Sequence, residues 1–183
     1  MTRVLVPLAA GFEELEAVTV VDLLRRAGIE VVTAGLMAGP VTASRGTVVV
    51  PDTDLDAALA DSYDMVVLPG GLPGADHLNA DPRIQALLRE MAAEEKYTAA
   101  ICAAPKVFAT AGLLAGRRAT AFPGVLEKLE LTDVALDAAP VVQDGRVITS
   151  RGPGTAMDFA LTLVELLAGR ERRDQVEAAL QRP

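Results

Sequence analysis

The sequence predicts an α/β fold around a mostly parallel sheet, and three observations carry that prediction. Short apolar runs alternate with longer amphipathic ones: Arg3–Leu8, Glu13–Ala27 and Ile29–Ala34 make one strand–helix–strand unit of about 30 residues. Tyr63–Leu68 reads as a buried strand and passes directly into Pro69-Gly70-Gly71-Leu72-Pro73-Gly74. Ligands in open α/β sheets gather at such carboxyl-end loops. Thr98–Ile101 ends at Cys102, the only cysteine, and Ala103, Ala104 and Pro105 then lead into a helical run. That order reads as strand, sharp turn, helix start, because proline at a first helical position loses no hydrogen bond.

The remaining elements follow from local chemistry. Within Glu13–Ala27, residues Leu15, Val18, Val21, Leu24 and Ala27 make an apolar stripe at helical spacing, and Gly28 suits the position that ends the helix. Val41–Ser44 and Thr47–Val50 flank Arg45-Gly46 and predict a small antiparallel excursion. A turn over Pro51–Asp54 leads into a short helix to Ala60, with Asp54 as its cap. Helices are expected over Gly74–Leu78 and Pro82–Glu95, the second capped by Asp81, and over Pro105–Ala111, ended by Gly112. Arg118–Phe122 reads as a strand without an evident partner, and Pro123–Leu129 as a loop with a short helix. Asp144-Gly145 between apolar runs is a hairpin signal. A second shaped loop, Ser150–Gly154, precedes a long apolar helix to Ala168 and a charged helix over Glu171–Leu180.

Composition narrows the function classes. At 183 residues, with no linker, repeat or low-complexity tract, residues 1–183 read as one domain. The 51% hydrophobic and 23% charged content excludes a mostly disordered chain. A net charge of -8 repels nucleic acid and anionic membranes, so neither is expected as a partner. No run of about 18 apolar residues predicts a membrane span. A single cysteine and no signal-peptide pattern point to a reducing, cytoplasmic setting.

Chemistry is expected at the sheet's carboxyl edge. Cys102 is read either as a nucleophile near a helix start or as a buried apolar residue, and its own stretch leaves both open. Glu13, Glu14 and Glu16 crowd one first turn, where acids suit the helix dipole and where one carboxyl can also face the end of the sheet. Gly71 can present an N–H to a reacting oxygen. His77, the only histidine, reads as a solvated or cap-region residue, although a Cys–His triad would require it. One cysteine and one histidine do not supply the usual zinc cluster. Gly11 belongs to no dinucleotide fingerprint, so no cofactor is expected.

Four motifs in order make the chain recognisable: Gly11-Phe12-Glu13-Glu14-Leu15-Glu16, Val67-Leu68-Pro69-Gly70-Gly71, Ala100-Ile101-Cys102-Ala103-Ala104-Pro105 and Thr149-Ser150-Arg151-Gly152-Pro153-Gly154-Thr155. The sequence resembles the DJ-1/PfpI superfamily, in its DJ-1-like branch, over nearly its whole length. The resemblance implies a flavodoxin-like three-layer sandwich with a nucleophile elbow, usually a homodimer, with contacts expected in the first helix and the Arg45 region. By the same resemblance Cys102 is the reactive cysteine and Glu16 the carboxyl bonded to it. Gly71 and Ala103 supply amides around the incoming oxygen, and Arg45 and Arg151 lie near the site. Phe122 stands where DJ-1 itself has a histidine, which removes a possible base and makes that wall apolar. The implied activity is glutathione-independent conversion of small 2-oxoaldehydes such as methylglyoxal to hydroxy acids, a glyoxalase III-type lyase reaction. The alternatives are an oxidative-stress sensor acting through the cysteine and a protein or nucleotide deglycase.

Overall fold

Alternate residues of the central strands face opposite ways, and this divides the apolar side chains between two cores. The structure, a computed structural model, describes residues 2–182. Met1 and Pro183, the ends of the expected domain, lie outside the described residues. In chain order the strands are β1 (Arg3–Leu8), β2 (Glu30–Gly35), β3 (Val41–Thr42), β4 (Val48–Val49), β5 (Thr53–Asp54), β6 (Met65–Leu68), β7 (Tyr97–Ile101), β8 (Arg118–Ala119), β9 (Ala135–Leu136), β10 (Val141–Asp144) and β11 (Val147–Ser150). The helices are α1 (Glu14–Arg26), α2 (Leu55–Ala58), α3 (Gly74–Ala80), α4 (Pro82–Ala93), α5 (Pro105–Ala111), α6 (Ala156–Ala168) and α7 (Arg170–Ala179).

A seven-stranded sheet runs in the order β10-β11-β7-β6-β1-β2-β5. All its pairings are parallel except the β10–β11 hairpin. From β1 the chain moves outward to β2 and β5, then returns to the other side of β1 as β6. The order therefore reverses between β1 and β6, and crevices for ligands form outside the carboxyl ends of strands at such a point.

Val4, Val6 and Leu8 of β1 face α1 and α6, in one core with Val20, Leu24 and Phe159. Leu5 faces the other way, with Val66, Leu68, Leu88 and Phe108 beneath α4 and α5. Fully burying a side chain of this kind is worth about 1.5–3 kcal/mol, so the two cores hold helices on both faces of the sheet. The result is the flavodoxin-like, three-layer, mostly parallel sandwich that the sequence reading expects.

Several local expectations are corrected. The apolar stripe of α1 is not the one predicted: Leu15 and Val18 are 50% and 52% exposed, Val21 is half-buried, and only Leu24 and Ala27 at the helix end are buried. The buried face is Glu16, Ala17, Val20, Leu23 and Leu24. Both stripes obey the 3.6-residue period, and packing against α6 selects the one that carries a carboxyl inward. Arg118–Phe122 shrinks to the two residues of β8, which pair with β9, a strand the sequence reading missed. The expected turn at Thr53-Asp54 pairs with β2 as an edge strand, although Asp54 still caps α2 by accepting from Ala57 N–H. Tyr63 and Asp64 precede β6 rather than belonging to it.

Candidate active site

Parallel pairing brings the four separated motifs to one edge. Leu68 pairs with Ala100, and Ile101 pairs with Ser150, so β6, β7 and β11 end side by side. The loops after these strands, and the start of α1 after β1, meet at that edge.

Cys102 is the turn between β7 and α5, with φ +64. A non-glycine residue in this region costs of order 1–3 kcal/mol and persists only where its surroundings fix it. Here Cys102 N–H donates to Ser150 O (2.9 Å), and Cys102 O accepts from Phe122 N–H (2.8 Å). Both backbone groups of the strained residue are thus tied to neighbouring segments, which is the elbow geometry expected. The residue is 9% exposed, and it lines a cavity of about 370 Å³.

Glu16 lies beneath the elbow, fully buried on the first turn of α1. Its Oε2 accepts from Gly70 N–H (2.8 Å), while Oε1 is buried with no hydrogen-bond partner among the described residues. Burial first raises the Glu16 pKa, from 4.5 to about 7, against the Gly70 N–H and the Cys102 side chain, which favour the charged form. Burial also comes first for Cys102, and the Glu16 charge adds to it, pushing the thiol up to about 12. Backbone groups of Gly71 and Ala103 oppose that rise. The thiolate expected at a helix start is thus favoured by two amides and opposed by burial and by an ionised Glu16. Two negative charges do not coexist here near neutrality. The pair carries at most one, and its proton lies either on sulfur or on the carboxyl.

The other predicted residues divide between sites. Gly71, Ala103, Phe122 and Arg45 line the same cavity as Cys102. Arg151 does not: its Nη1 donates to Ala138 O (3.0 Å), and it lines neighbouring pockets on the far side of Phe122 and Pro123. His77 is exposed, with Nδ1 3.0 Å from Ala10 O, and lies outside the cavity. Among the described residues no group of three His, Cys, Asp or Glu side chains could hold a metal ion.

Sequence reasoning missed Gly70, and it missed Glu13, Ser44, Leu72, Val125 and Pro153 as cavity lining. The consecutive glycines after β6 were the available signal for Gly70. A Cβ there would lie 2.6 Å from Cys102 Cβ and 2.8 Å from both Glu16 Oε2 and Ile101 O. At Gly71, with φ +86, a Cβ would run into Glu13 N and Gly11 O. We therefore expect Gly70→Ala to separate Cys102 from Glu16 and to slow a reaction that needs both groups in register by about 100-fold, as small misplacements of reacting groups do. Hydroxy-acid formation from methylglyoxal by the folded variant would check this, and an unchanged rate would show that the loop yields without moving the pair.

Comparisons with known proteins agree on one family. The sequence profile of the DJ-1/PfpI family matches residues 2–166. The Parkinson disease protein 7 homolog of Danio rerio is 45% identical over 181 residues, covering 97% of this chain and 96% of that one. The protein named glutathione-independent glyoxalase DJR-1.2 from Caenorhabditis elegans is 38% identical over 165 residues, covering 90% and 87%. The crystal structure of Drosophila melanogaster DJ-1beta superimposes with a TM-score of 0.94 at 43% identity, covering 98% of this chain and 97% of that one.

Proposed function

We propose, for a chain that belongs to the DJ-1/PfpI family, that it converts small 2-oxoaldehydes to 2-hydroxy acids without glutathione or any cofactor. The observation that carries this reading is the buried Glu16: one oxygen is held by Gly70 N–H, and the other is unpartnered beneath a cysteine on a strained elbow. Such a carboxyl can hold the pair's proton and move it to and from a substrate bound to sulfur. The glyoxalase relative supports the same class of reaction.

In the reactive form the proton is on Glu16 and the charge on Cys102. Sulfur attacks the aldehyde carbon, a C–S bond forms, and the carbonyl electron pair moves to oxygen. The amides of Gly71 and Ala103 stabilise that oxygen, which takes the proton from Glu16 to complete the hemithioacetal and leaves Glu16 a carboxylate. The carboxylate of Glu16 then removes the C1 hydrogen as a proton, giving an enediol, and the proton is returned to C2. C1 is oxidised to a thioester while C2 is reduced to an alcohol, so no external oxidant or reductant is needed. Water breaks the C–S bond, releasing the hydroxy acid and the thiol; the sum is aldehyde plus one water.

The test is methylglyoxal turnover without glutathione, read as lactate by chiral analysis. Aldehyde loss without lactate would mean trapping rather than catalysis. No lactate from a folded, reduced sample would defeat the reading. A redox role in stress response is the second reading. The unpartnered Glu16 Oε1 favours it, because a protonated carboxyl could donate there to oxygen added to sulfur. A deglycase would use the same thiolate on a protein- or nucleotide-bound adduct.

The reading includes a cytoplasmic homodimer. The dimer's support is the second stripe of α1: exposed Val18 lines a cleft with Val21, Val49 and exposed Val50, and Leu15 on the same helix is exposed too. A symmetric pair would cover that stripe with its own copy. Sedimentation at micromolar concentration should give twice the 19.1 kDa chain mass, and Val18→Asp should halve it. A wild-type monomer at those concentrations would reject the dimer.

A further inference from the structure

We propose that Phe122 makes this site selective for carbonyl substrates with an apolar substituent, aromatic ones above all; this rests on the aldehyde reading above and narrows its substrate class. The sequence reading took Phe122 as an apolar wall suited to small substrates, but the cavity is larger than a small substrate needs. It measures about 370 Å³. That lies within the roughly 300–1,000 Å³ of small-molecule sites, with room for a substituent beyond the reacting two-carbon unit.

The chemistry of the walls is uneven. Glu13, Ser44 and Arg45 are its polar lining, while Phe122, Leu72, Val125 and Pro153 are apolar. Leu72 and Phe122 are 59% and 49% exposed, large apolar surfaces left uncovered at the rim of a reactive site.

Phe122 is also held in place. Its N–H donates to Cys102 O (2.8 Å), which ties its backbone to the nucleophile's own residue. Its ring lies over Gly152, where a Cβ would be 3.3 Å from Phe122 Cδ2. The ring thus rests against the loop at Gly152 while lining the cavity. Having no polar atom, it transfers no proton and offers no hydrogen bond. Its contribution is apolar contact with whatever extends from the reacting carbonyl, where an aromatic substituent can stack or meet it edge to face.

The experiment compares kcat/KM for phenylglyoxal and methylglyoxal, read as mandelate and lactate so that arginine adducts of the aldehyde are not counted. The phenylglyoxal-to-methylglyoxal ratio should be roughly 10- to 200-fold, the range for extra apolar contact in a specificity pocket. It should fall towards unity in Phe122→Ala and be partly retained in Phe122→Leu, with circular dichroism showing both folded. A ratio near one in the wild type, or one unchanged in Phe122→Ala, overturns the proposal while leaving the aldehyde reaction standing. A binding arm needs no turnover: acetophenone should protect Cys102 from iodoacetamide at concentrations at least roughly tenfold below those of acetone, and Phe122→Ala should erase the difference. Protection without turnover would reject the reaction and keep the apolar selectivity. Equal protection by both ketones would reject the selectivity.

Discussion

Cys102→Ser is expected to reduce formation of 2-hydroxy acid by at least about 10³-fold, to the background without enzyme. The loss has two sources. A serine hydroxyl does not ionise near neutrality, and no histidine stands in the cavity to activate it, because His77 lies outside. The remaining amides of Gly71 and Ala103 can still bind an oxyanion, but no covalent intermediate forms for them to stabilise, so removing the nucleophile removes the pathway. The substitution is nearly isosteric at a 9% exposed position, and the elbow's hydrogen bonds are made by backbone. The variant should therefore fold, and its far-ultraviolet spectrum and thermal midpoint should match the wild type. Turnover in this variant within tenfold of wild type would remove Cys102 from the chemistry.

Glu16→Gln is expected to produce the second-largest effect, visible in stability as well as activity. The folded pKa of Glu16 is raised from 4.5 to about 7 by burial. A raised pKa means that the folded state binds the proton more tightly than the unfolded chain does. The contribution is therefore fully present below pH 4.5 and is lost as pH rises through about 7. At 1.36 kcal/mol per unit, the wild type should lose about 3 kcal/mol across that window relative to Glu16→Gln, which has no such proton to lose. Urea unfolding of both proteins at pH 5 and pH 8 measures the difference directly, and parallel pH profiles would show that Glu16 titrates as an ordinary carboxyl. Turnover should fall by about 10²–10⁴-fold, the range for a lost general acid–base group. Cys102 alkylation in the wild type should follow the first ionisation of the pair, whose apparent pKa belongs to the pair and to neither residue alone. An apparent value at or above about 8.5, that of a free thiol, would sink the thiolate above a neutral Glu16.

How far these residues were legible in the sequence depends on what kind of interaction fixes each of them. Local chemistry was enough where the signal lies within one element. Asp54 and Asp81 accept from backbone N–H groups at their helix starts, as small acidic caps do. Pro105 opens α5, and Gly112 closes it in the left-handed region. The Asp144-Gly145 hairpin and the Val41/Val49 pairing fall where turn chemistry placed them. The alternation of strands and helices was likewise sufficient for a parallel sheet with a reactive edge.

What required the tertiary structure is whatever depends on a choice between locally equivalent patterns. The first helix carries two apolar stripes of the same period, and nothing within it says which packs against α6. That choice leaves Leu15 and Val18 outside and takes Glu16 to zero exposure beneath Cys102. Residue reading left Glu13, Glu14 and Glu16 as equals; resemblance singled out Glu16, and burial gives it the raised pKa. Arg151 follows the shaped loop as expected, yet its guanidinium turns to Ala138 O, because side-chain direction is set by neighbours distant in sequence. Gly70 acquires its importance from Cys102 and Glu16, 32 and 54 positions away, which close on the space where its side chain would be. The sequence by itself determined the principal strands and helices, their order and the residue types at the sheet's reactive edge. Only packing decided which carboxyl has its pKa raised there, because that follows from the solvent each group loses, and solvent exclusion is a property of the assembled chain.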